Sequence, residues 1–224
     1  NAHCANSVGS FTCSCNVGYA GPARAPEGCS RLSLSVLEAP DSALCVAGFA
    51  LQPQPRVEIL DQLGRRAPRP WSEPAQLVTA VLLAPRGLAA GAPLEERTDL
   101  LRGNATAAAP AGLALFTDLE TRAVGAGGFK LQFRLPDRWL VTPLSSAAFN
   151  VAPGPPTTLL IDREPSAASI TFGTLAVQPI ISLADAFGNR NPDAVPTQVT
   201  MGLSRSAGDE TPRGYRGGTV VNGT

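Results

Sequence analysis

The stretch Leu51-Gln-Pro-Gln-Pro-Arg-Val-Glu-Ile-Leu-Asp-Gln-Leu-Gly-Arg65 recurs as Leu175-Ala-Val-Gln-Pro-Ile-Ile-Ser-Leu-Ala-Asp-Ala-Phe-Gly-Asn189. Both copies place Gln-Pro before an apolar segment and end on Asp-x-x-Gly, and the spacing between them is 124 residues. Self-similarity at a fixed spacing indicates tandem copies of one structural unit. We therefore predict a first repeat over residues 31–153 and the N-terminal part of a second repeat over residues 154–224.

Apolar and polar residues alternate in Phe129-Lys-Leu-Gln-Phe-Arg-Leu135, which predicts a strand with one buried face. Weaker strand patterns occur over residues 32–37, 56–60, 76–83, 112–117 and 147–151, and at Val199, Met201 and Leu203. The stretch between Pro85 and Gly112 has no strand pattern. Because 21 prolines and 22 glycines punctuate the chain, long helices are disfavoured. About seven short strands in a repeat predict an immunoglobulin-like β-sandwich, without the Cys-Trp-Cys core of antibody domains.

The composition excludes several kinds of partner. The chain carries 18 basic and 18 acidic residues. It therefore lacks the excess of positive charge that attracts nucleic acids and anionic membranes. No run approaches the roughly 18 consecutive apolar residues of a membrane-spanning helix. We therefore expect no nucleic-acid partner and no membrane insertion in this segment.

Four of the five cysteines lie within the first thirty residues, at Cys4, Cys13, Cys15 and Cys29. This clustering favours disulfides and an oxidising compartment. A zinc site is disfavoured because Cys13 and Cys15 are separated by one residue, whereas zinc knuckles use two to four. Cys45 stands apart, and two interpretations stay open: a buried thiol, or a bridge to a distant part of a longer chain or to another subunit.

The segment Cys4-Ala-Asn-Ser-Val-Gly-Ser-Phe-Thr-Cys-Ser-Cys15, followed by Gly18-Tyr-Ala-Gly21 and closed by Cys29, resembles the C-terminal part of a calcium-binding EGF-like module. The resemblance assigns residues 1–30 to this module and implies a disulfide between Cys15 and Cys29.

The same resemblance implies that Cys4 and Cys13 pair with cysteines outside this segment. It also makes Asn6 a weak candidate ligand for calcium, whose acidic ligands would precede residue 1. A plain turn residue is the alternative interpretation of Asn6. We expect no other cofactor.

The strings Gly112-Leu-Ala-Leu-Phe-Thr-Asp-Leu119, Phe149-Asn-Val-Ala-Pro-Gly154 and Asp185-Ala-Phe-Gly-Asn189 resemble the Ig-like repeats of invasin- and filamin-like proteins. Together with the EGF-like module and the preference for alanine and for arginine over lysine, they resemble the mastigoneme glycoproteins, which build the flagellar hairs of green algae. The resemblance implies an extracellular structural protein at the surface of a flagellum or cilium. Its partners would be other copies of itself or other filament and matrix glycoproteins.

Two alternative functions use the same modules. One is a cell-surface adhesin or receptor ectodomain that binds a ligand, and the other is an accessory domain of a large secreted enzyme. The sequence offers no catalytic residues of its own. His3 is the single histidine and lies in the EGF-like region, so a serine–histidine–acid triad is excluded. We therefore expect no enzymatic activity from this segment.

Acidic pairs and glycine-rich stretches have simpler explanations than catalysis. Glu95-Glu96 and Asp209-Glu210 lie in polar stretches and are interpreted as solvated loops. The segment Gly125-Ala-Gly-Gly128 leads into a predicted strand instead of a helix, so we predict a hairpin turn rather than a phosphate loop. Trp71 and Trp139 are predicted to serve packing or contacts between domains.

The repeated Asp61-Gln-Leu-Gly64 and Asp185-Ala-Phe-Gly188 are predicted to form the same turn in both repeats, in preference to a metal site. In such a turn the aspartate side chain accepts hydrogen bonds from its own backbone, and glycine supplies the positive φ. Two sequons, at Asn104-Ala-Thr106 and Asn222-Gly-Thr224, predict exposed loops able to carry N-glycans in a secreted chain.

Overall fold

The chain forms two compact units, residues 1–152 and 153–224. The computed structural model describes residues 2–16, 19–20, 29–67, 76–86, 93–136, 140–165, 175–192, 197–201 and 216–220. Over these residues the chain is built from antiparallel strands, with one 3₁₀ turn at Pro110–Gly112 and no α-helix. The predicted mainly β class is therefore confirmed. Predictions for Trp71, Trp139, Leu203, the pair Asp209-Glu210 and the sequon at Asn222 lie outside the described residues.

The N-terminal part of the first unit contains two small hairpins. Strands β1 (Ala2–Ser7) and β2 (Ser10–Cys15) pair antiparallel across a tight turn in which Gly9 has a φ of 74°. This left-handed conformation favours glycine, because it has no Cβ. Strands β3 (Tyr19–Ala20) and β4 (Ser30–Arg31) form the second antiparallel pair.

The rest of the first unit is built mainly from two sheets. The smaller sheet has the order β11-β6-β5 and contains β5 (Ser33–Glu38), β6 (Arg56–Leu60) and β11 (Leu113–Leu115). The larger sheet contains β7 (Leu77–Pro85), β8 (Leu94–Glu96), β10 (Thr106–Ala108), β13 (Gly125–Arg134), β14 (Leu144–Ser145) and β15 (Phe149–Val151). In it β7 lies between β10 and β13, and β13 also pairs with β14 and β15. A further short pair joins β9 (Leu101–Arg102) to β12 (Glu120–Thr121).

Inward-facing residues of both sheets belong to one hydrophobic core. Val57 and Ile59 of β6 and Leu131 and Phe133 of β13 are all fully buried. The ring of Phe133 lies 5.7 Å from that of Phe116, centroid to centroid, in a tilted contact. Alternate residues of β6 and of the second half of β13 thus face the core, as the period-two pattern predicts.

Two local predictions in the first unit need correction. The stretch between Pro85 and Gly112, which has no strand pattern, contains β8, β9 and β10. These strands are two or three residues long, too short for alternation to be visible.

Residues 125–128, predicted as a hairpin turn, belong instead to β13, which pairs with β15 through an irregular register. Glycine is needed in this strand for two reasons. Gly128 has a φ of 87°, and a Cβ at Gly125 would lie 2.9 Å from the ring of Phe129. Both features are typical of a β-bulge.

The described part of the second unit contains two antiparallel pairs. Strand β16 (Thr158–Arg163) pairs with β17 (Ile180–Ala184), and β18 (Thr197–Met201) pairs with β19 (Arg216–Val220).

Candidate functional site

The N-terminal hairpin carries a disulfide between Cys4 and Cys13, with an S–S distance of 2.01 Å. This corrects the expectation that both cysteines pair outside the segment. The physical reason is the register of the hairpin, which places Cys4 directly opposite Cys13 at a Cα–Cα distance of 4.0 Å. Directly opposed residues in an antiparallel pair are close enough to be bridged.

A second disulfide joins Cys15 to Cys29 at 2.12 Å, which is the pairing implied by the EGF resemblance. Disulfides persist in oxidising environments and are rare in the reducing cytosol. The two bonds therefore indicate a secreted or extracellular protein.

Asn6 lies in β1, exposed to solvent and opposite Phe11. Calcium prefers six to eight oxygen ligands, several of them carboxylates. Over the described part of the chain, no three His, Cys, Asp or Glu side chains form a group that could hold a metal ion. The described residues around Asn6 therefore do not fit a calcium site.

The Asp61 turn that follows β6 has the geometry predicted from the sequence. The Asp61 carboxylate accepts hydrogen bonds from the backbone N–H groups of Leu63 and Arg65 at 2.8 and 2.9 Å, and Gly64 has a φ of 74°. The Arg65 N–H does most to lower the pKa of Asp61, against a smaller opposing effect of burial. Turn formation and ionisation of Asp61 thus support each other.

The Asp185 turn that follows β17 repeats this geometry. Asp185 accepts hydrogen bonds from the N–H groups of Phe187 and Asn189, both at 2.9 Å, and Gly188 has a φ of 81°. It also accepts a bond from the backbone N–H of Gly154 at 3.0 Å. Asp185 therefore holds the start of the second unit against its first hairpin, a role that the sequence pattern did not reveal.

Burial alone would favour the neutral acid at Asp185, which is 1% exposed. Hydrogen bonds from the side chain and backbone of Asn189, and from the backbone of Gly154 and Phe187, outweigh this effect. They hold the pKa of Asp185 below its ordinary value. The prediction of a repeated, self-capped turn is confirmed at both positions.

Gln54 is a second organising residue that the sequence analysis did not single out. Its side-chain N–H₂ donates to the carbonyl oxygens of Leu51 and Leu119, both at 2.9 Å. Its side-chain oxygen accepts from the N–H of Leu119 at 3.1 Å. In the second unit, Gln178 donates to the carbonyl of Leu175 at the same distance of 2.9 Å. The Gln-Pro dipeptide shared by both repeats is the signal that could have identified this role.

Glu95 and Glu96, the acidic pair within the described residues, take part in ion pairs on the surface. Glu95 and Glu96 lie in β8, which was predicted to be a loop, and they pair with Arg86 and Arg134, respectively. Because each carboxylate has its own arginine partner, the two glutamates do not form a shared acid–base pair.

Cys45 is a free thiol that is 1% exposed. Its Sγ–H donates to the backbone oxygen of Gln52 at 3.5 Å. Burial is the main cause that raises the pKa of the Cys45 thiol. Of the two interpretations of Cys45, the structure therefore supports the buried thiol.

Asn104 lies in the exposed loop between β9 and β10, as its sequon predicts. Its side-chain oxygen accepts a hydrogen bond from the N–H of Thr106 at 3.2 Å, and its own N–H donates to Asp118 at 3.0 Å. The amide nitrogen that a glycan would modify is thus on an accessible, well-defined turn.

The outer surface of the smaller sheet combines apolar residues with ion pairs. Leu115 is 50% exposed and lies opposite Arg56 in the register, and Arg56 pairs with Glu38 at 2.9 Å. Two residues further along the same face, Leu113 lies opposite Glu58. We call the outward surface formed by these five residues the outer face.

No protein-family model matches the chain, and no curated protein sequence is similar to it. Over the described residues, no helix is long and apolar enough to cross a membrane.

Proposed function

We propose that the chain is a segment of an extracellular structural glycoprotein that builds a filament or matrix, such as the hairs of a flagellum. The observation that carries the proposal is the duplicated hairpin, which ends in the same aspartate-capped turn in each unit. Tandem repeats of one unit produce elongated arrays that present the same surface at regular intervals. Such arrays suit a structural role better than a single binding site would.

The module assignments belong to the same proposal. The Cys15–Cys29 disulfide supports an EGF-like module over residues 1–30, because it is the pairing that the resemblance implies and small units of this kind depend on cross-links in place of a large core. The Cys4–Cys13 bond departs from the pairing that the resemblance implies. The two sheets around one core support an Ig-like sandwich over residues 31–153. The matching turn at Asp185 supports a second copy that begins at residue 154.

Association of copies is assigned to the outer face of the smaller sheet. Half-exposed Leu115 supplies apolar area, and the neighbouring Arg56–Glu38 pair supplies charges of both signs. An apolar patch with charged neighbours is typical of a surface that binds another protein. We further propose N-glycosylation at Asn104, where the glycan would keep the surrounding loop free of contacts; occupancy of Asn222 stays a prediction.

The test is sedimentation velocity of the full chain over a range of concentrations. We expect concentration-dependent association of the wild-type chain. Leu115→Arg is expected to abolish association because it places a charge in the contact. Leu77→Arg is the matched control, since Leu77 is 45% exposed but lies on the larger sheet.

Two results would contradict the assembly proposal. One is that the chain stays monomeric at every concentration and that labelled antibodies do not detect it in native fibres. The other is equal loss of association in both leucine variants, which would show that the outer face is not the contact. A monomeric chain that binds a cell-surface ligand would favour the adhesin alternative.

A further inference from the structure

The loop that carries the first sequon is held against the segment that follows β11. The backbone N–H of Asn104 donates to the Asp118 carboxylate at 3.0 Å. The preceding residue, Gly103, has a φ of 85°, and a Cβ added to it would lie 2.1 Å from the backbone oxygen of Asp118. Glycine thus allows the two backbones to approach closely. The position of Asn104 is therefore set by the segment that leaves the smaller sheet.

This segment continues the outer face. Along β11 and past its end the side chains alternate, so that Ala114 and Phe116 are buried whereas Leu115 and Thr117 are exposed. Asp118 and Asn104 are exposed as well. An exposed surface therefore leads from Leu115, in the outer face, to the asparagine of the sequon.

The separation between Leu115 and Asn104 is short on the scale of a protein contact. The three residues from Leu115 to Asp118 span at most about 11 Å, and with the Asp118 side chain and its hydrogen bond the Asn104 backbone lies within about 17 Å of the Leu115 Cα. A standard contact covers about 800 Å² on each partner, which corresponds to a disc with a radius of about 16 Å. A contact centred on Leu115 therefore has Asn104 at its rim.

We propose that an N-glycan on Asn104 regulates the association of copies by covering part of the outer face. The side-chain oxygen of Asn104 accepts from the N–H of Thr106 at 3.2 Å, which holds the amide that carries the glycan at the rim of the contact. An N-glycan is bulky and hydrated, so it competes with a second copy for the same surface. The inference rests on the proposed function, because it requires the outer face to be the contact between copies.

The direction of the effect follows from the position of the glycan. Its attachment point lies at the rim, whereas Leu115 lies at the centre, where a contact gains most of its free energy. The glycan therefore weakens association without abolishing it. Occupancy of Asn104 sets the concentration at which the secreted chain assembles.

The test compares two substitutions at one position of the full chain, secreted from a eukaryotic cell line. Thr106→Val removes the sequon but keeps the backbone N–H that binds Asn104, whereas Thr106→Ser keeps the sequon. Mass spectrometry measures the occupancy of Asn104, and sedimentation velocity measures the dissociation constant. We expect Thr106→Val to associate about tenfold or more tightly than Thr106→Ser, which should match the wild-type chain. Asn222 is present in every chain, so a glycan there does not contribute to the difference.

Two controls locate the effect of the glycan. In chains that also carry Leu115→Arg, both Thr106 variants are expected to be monomeric, because the outer face no longer binds. The second control moves the glycan to the larger sheet: Glu95→Asn together with Arg97→Thr introduces a sequon in β8 of the Thr106→Val chain. We expect this chain to associate as tightly as Thr106→Val alone.

The outcomes separate this inference from the proposed function. Unmodified Asn104 in the secreted wild-type chain, or equal affinities of the two Thr106 variants, would overturn the inference and leave the outer face as the contact. Equal weakening by the glycan on β8 would also overturn it, as would a difference between the Thr106 variants that persists with Leu115→Arg. If neither Thr106 variant associates at any concentration, the proposed function fails and the inference fails with it.

Discussion

Replacing Gln54 by alanine tests whether its side chain stabilises the contact between the segment before β6 and Leu119. Gln54 makes three hydrogen bonds, two to carbonyl oxygens and one from the N–H of Leu119. Leu119 is fully buried, so its N–H would lose its partner in a place without ready access to water. The carbonyl of Leu119 would keep the bond that it accepts from the N–H of Leu51 at 2.8 Å.

The expected cost follows from this count. Neutral hydrogen bonds contribute about 1 kcal/mol each, so the three bonds together account for about 3 kcal/mol, and the orphaned N–H of Leu119 adds about 1 kcal/mol more. Gln54→Ala should therefore lower the free energy of unfolding by about 3–4 kcal/mol. Gln178→Ala is the matched control in the second unit. Gln178 is exposed, and over the described residues its side chain makes one hydrogen bond, to the carbonyl of Leu175, so the loss of this side chain should cost less than about 1 kcal/mol.

Urea unfolding followed by far-UV circular dichroism measures both costs. Hydrogen exchange of a peptide fragment that contains Leu119, measured by mass spectrometry, reports on the site itself. We expect faster exchange of this fragment in Gln54→Ala and no change in Gln178→Ala. Equal destabilisation by both substitutions, or unchanged exchange at Leu119, would refute the reasoning.

Three further predictions concern backbone conformation, pH and thiol reactivity. Gly103→Ala should lower the free energy of unfolding by about 3 kcal/mol, because Gly103 has a φ of 85° and the new Cβ would overlap the Asp118 carbonyl. Gly188 has a φ of 81° but open space around it, so Gly188→Ala should cost about 1–2 kcal/mol. Urea midpoints of the two variants measure both costs. The pKa of Asp185 is lowered in the folded state, so its stabilising contribution is present above the ordinary carboxyl pKa and is lost as the pH falls through the folded-state pKa. Urea midpoints of the wild-type chain should therefore fall with acidification more steeply than those of Asp185→Asn. Cys45 should resist iodoacetamide in the native chain and react after unfolding, which mass spectrometry detects; rapid labelling of the native chain would contradict its burial.

The sequence predicted the features that local chemistry controls. The alternation from Phe129 to Leu135 identified β13, because every second side chain faces one core. Residues 125–128 misled the prediction, because glycine serves turns and bulges equally well. Which of the two forms here depends on pairing with β15, which follows β13 by about fifteen residues in the chain.

For the cysteines, too, the sequence predicted one feature correctly and another wrongly. Their clustering correctly indicated disulfides, since cysteine number and compartment are readable from composition. The partner of Cys4 was assigned from the resemblance to a complete module. In the structure, the register of a short hairpin decides it, because a bridge forms between residues that the backbone brings opposite each other.

The two copies of the hairpin separate what local sequence determines from what the rest of the chain determines. The hydrogen bonds around Asp61 and Asp185 agree within about 0.1 Å, although Val57 and Ile59 of the first hairpin are fully buried and Ile181 and Leu183, at the matching positions of the second hairpin, are only partly buried. The turn therefore does not depend on the second sheet. Burial does depend on it, since Val36, which pairs with Val57, is partly buried, whereas Ile161, which pairs with Ile181, is 58% exposed.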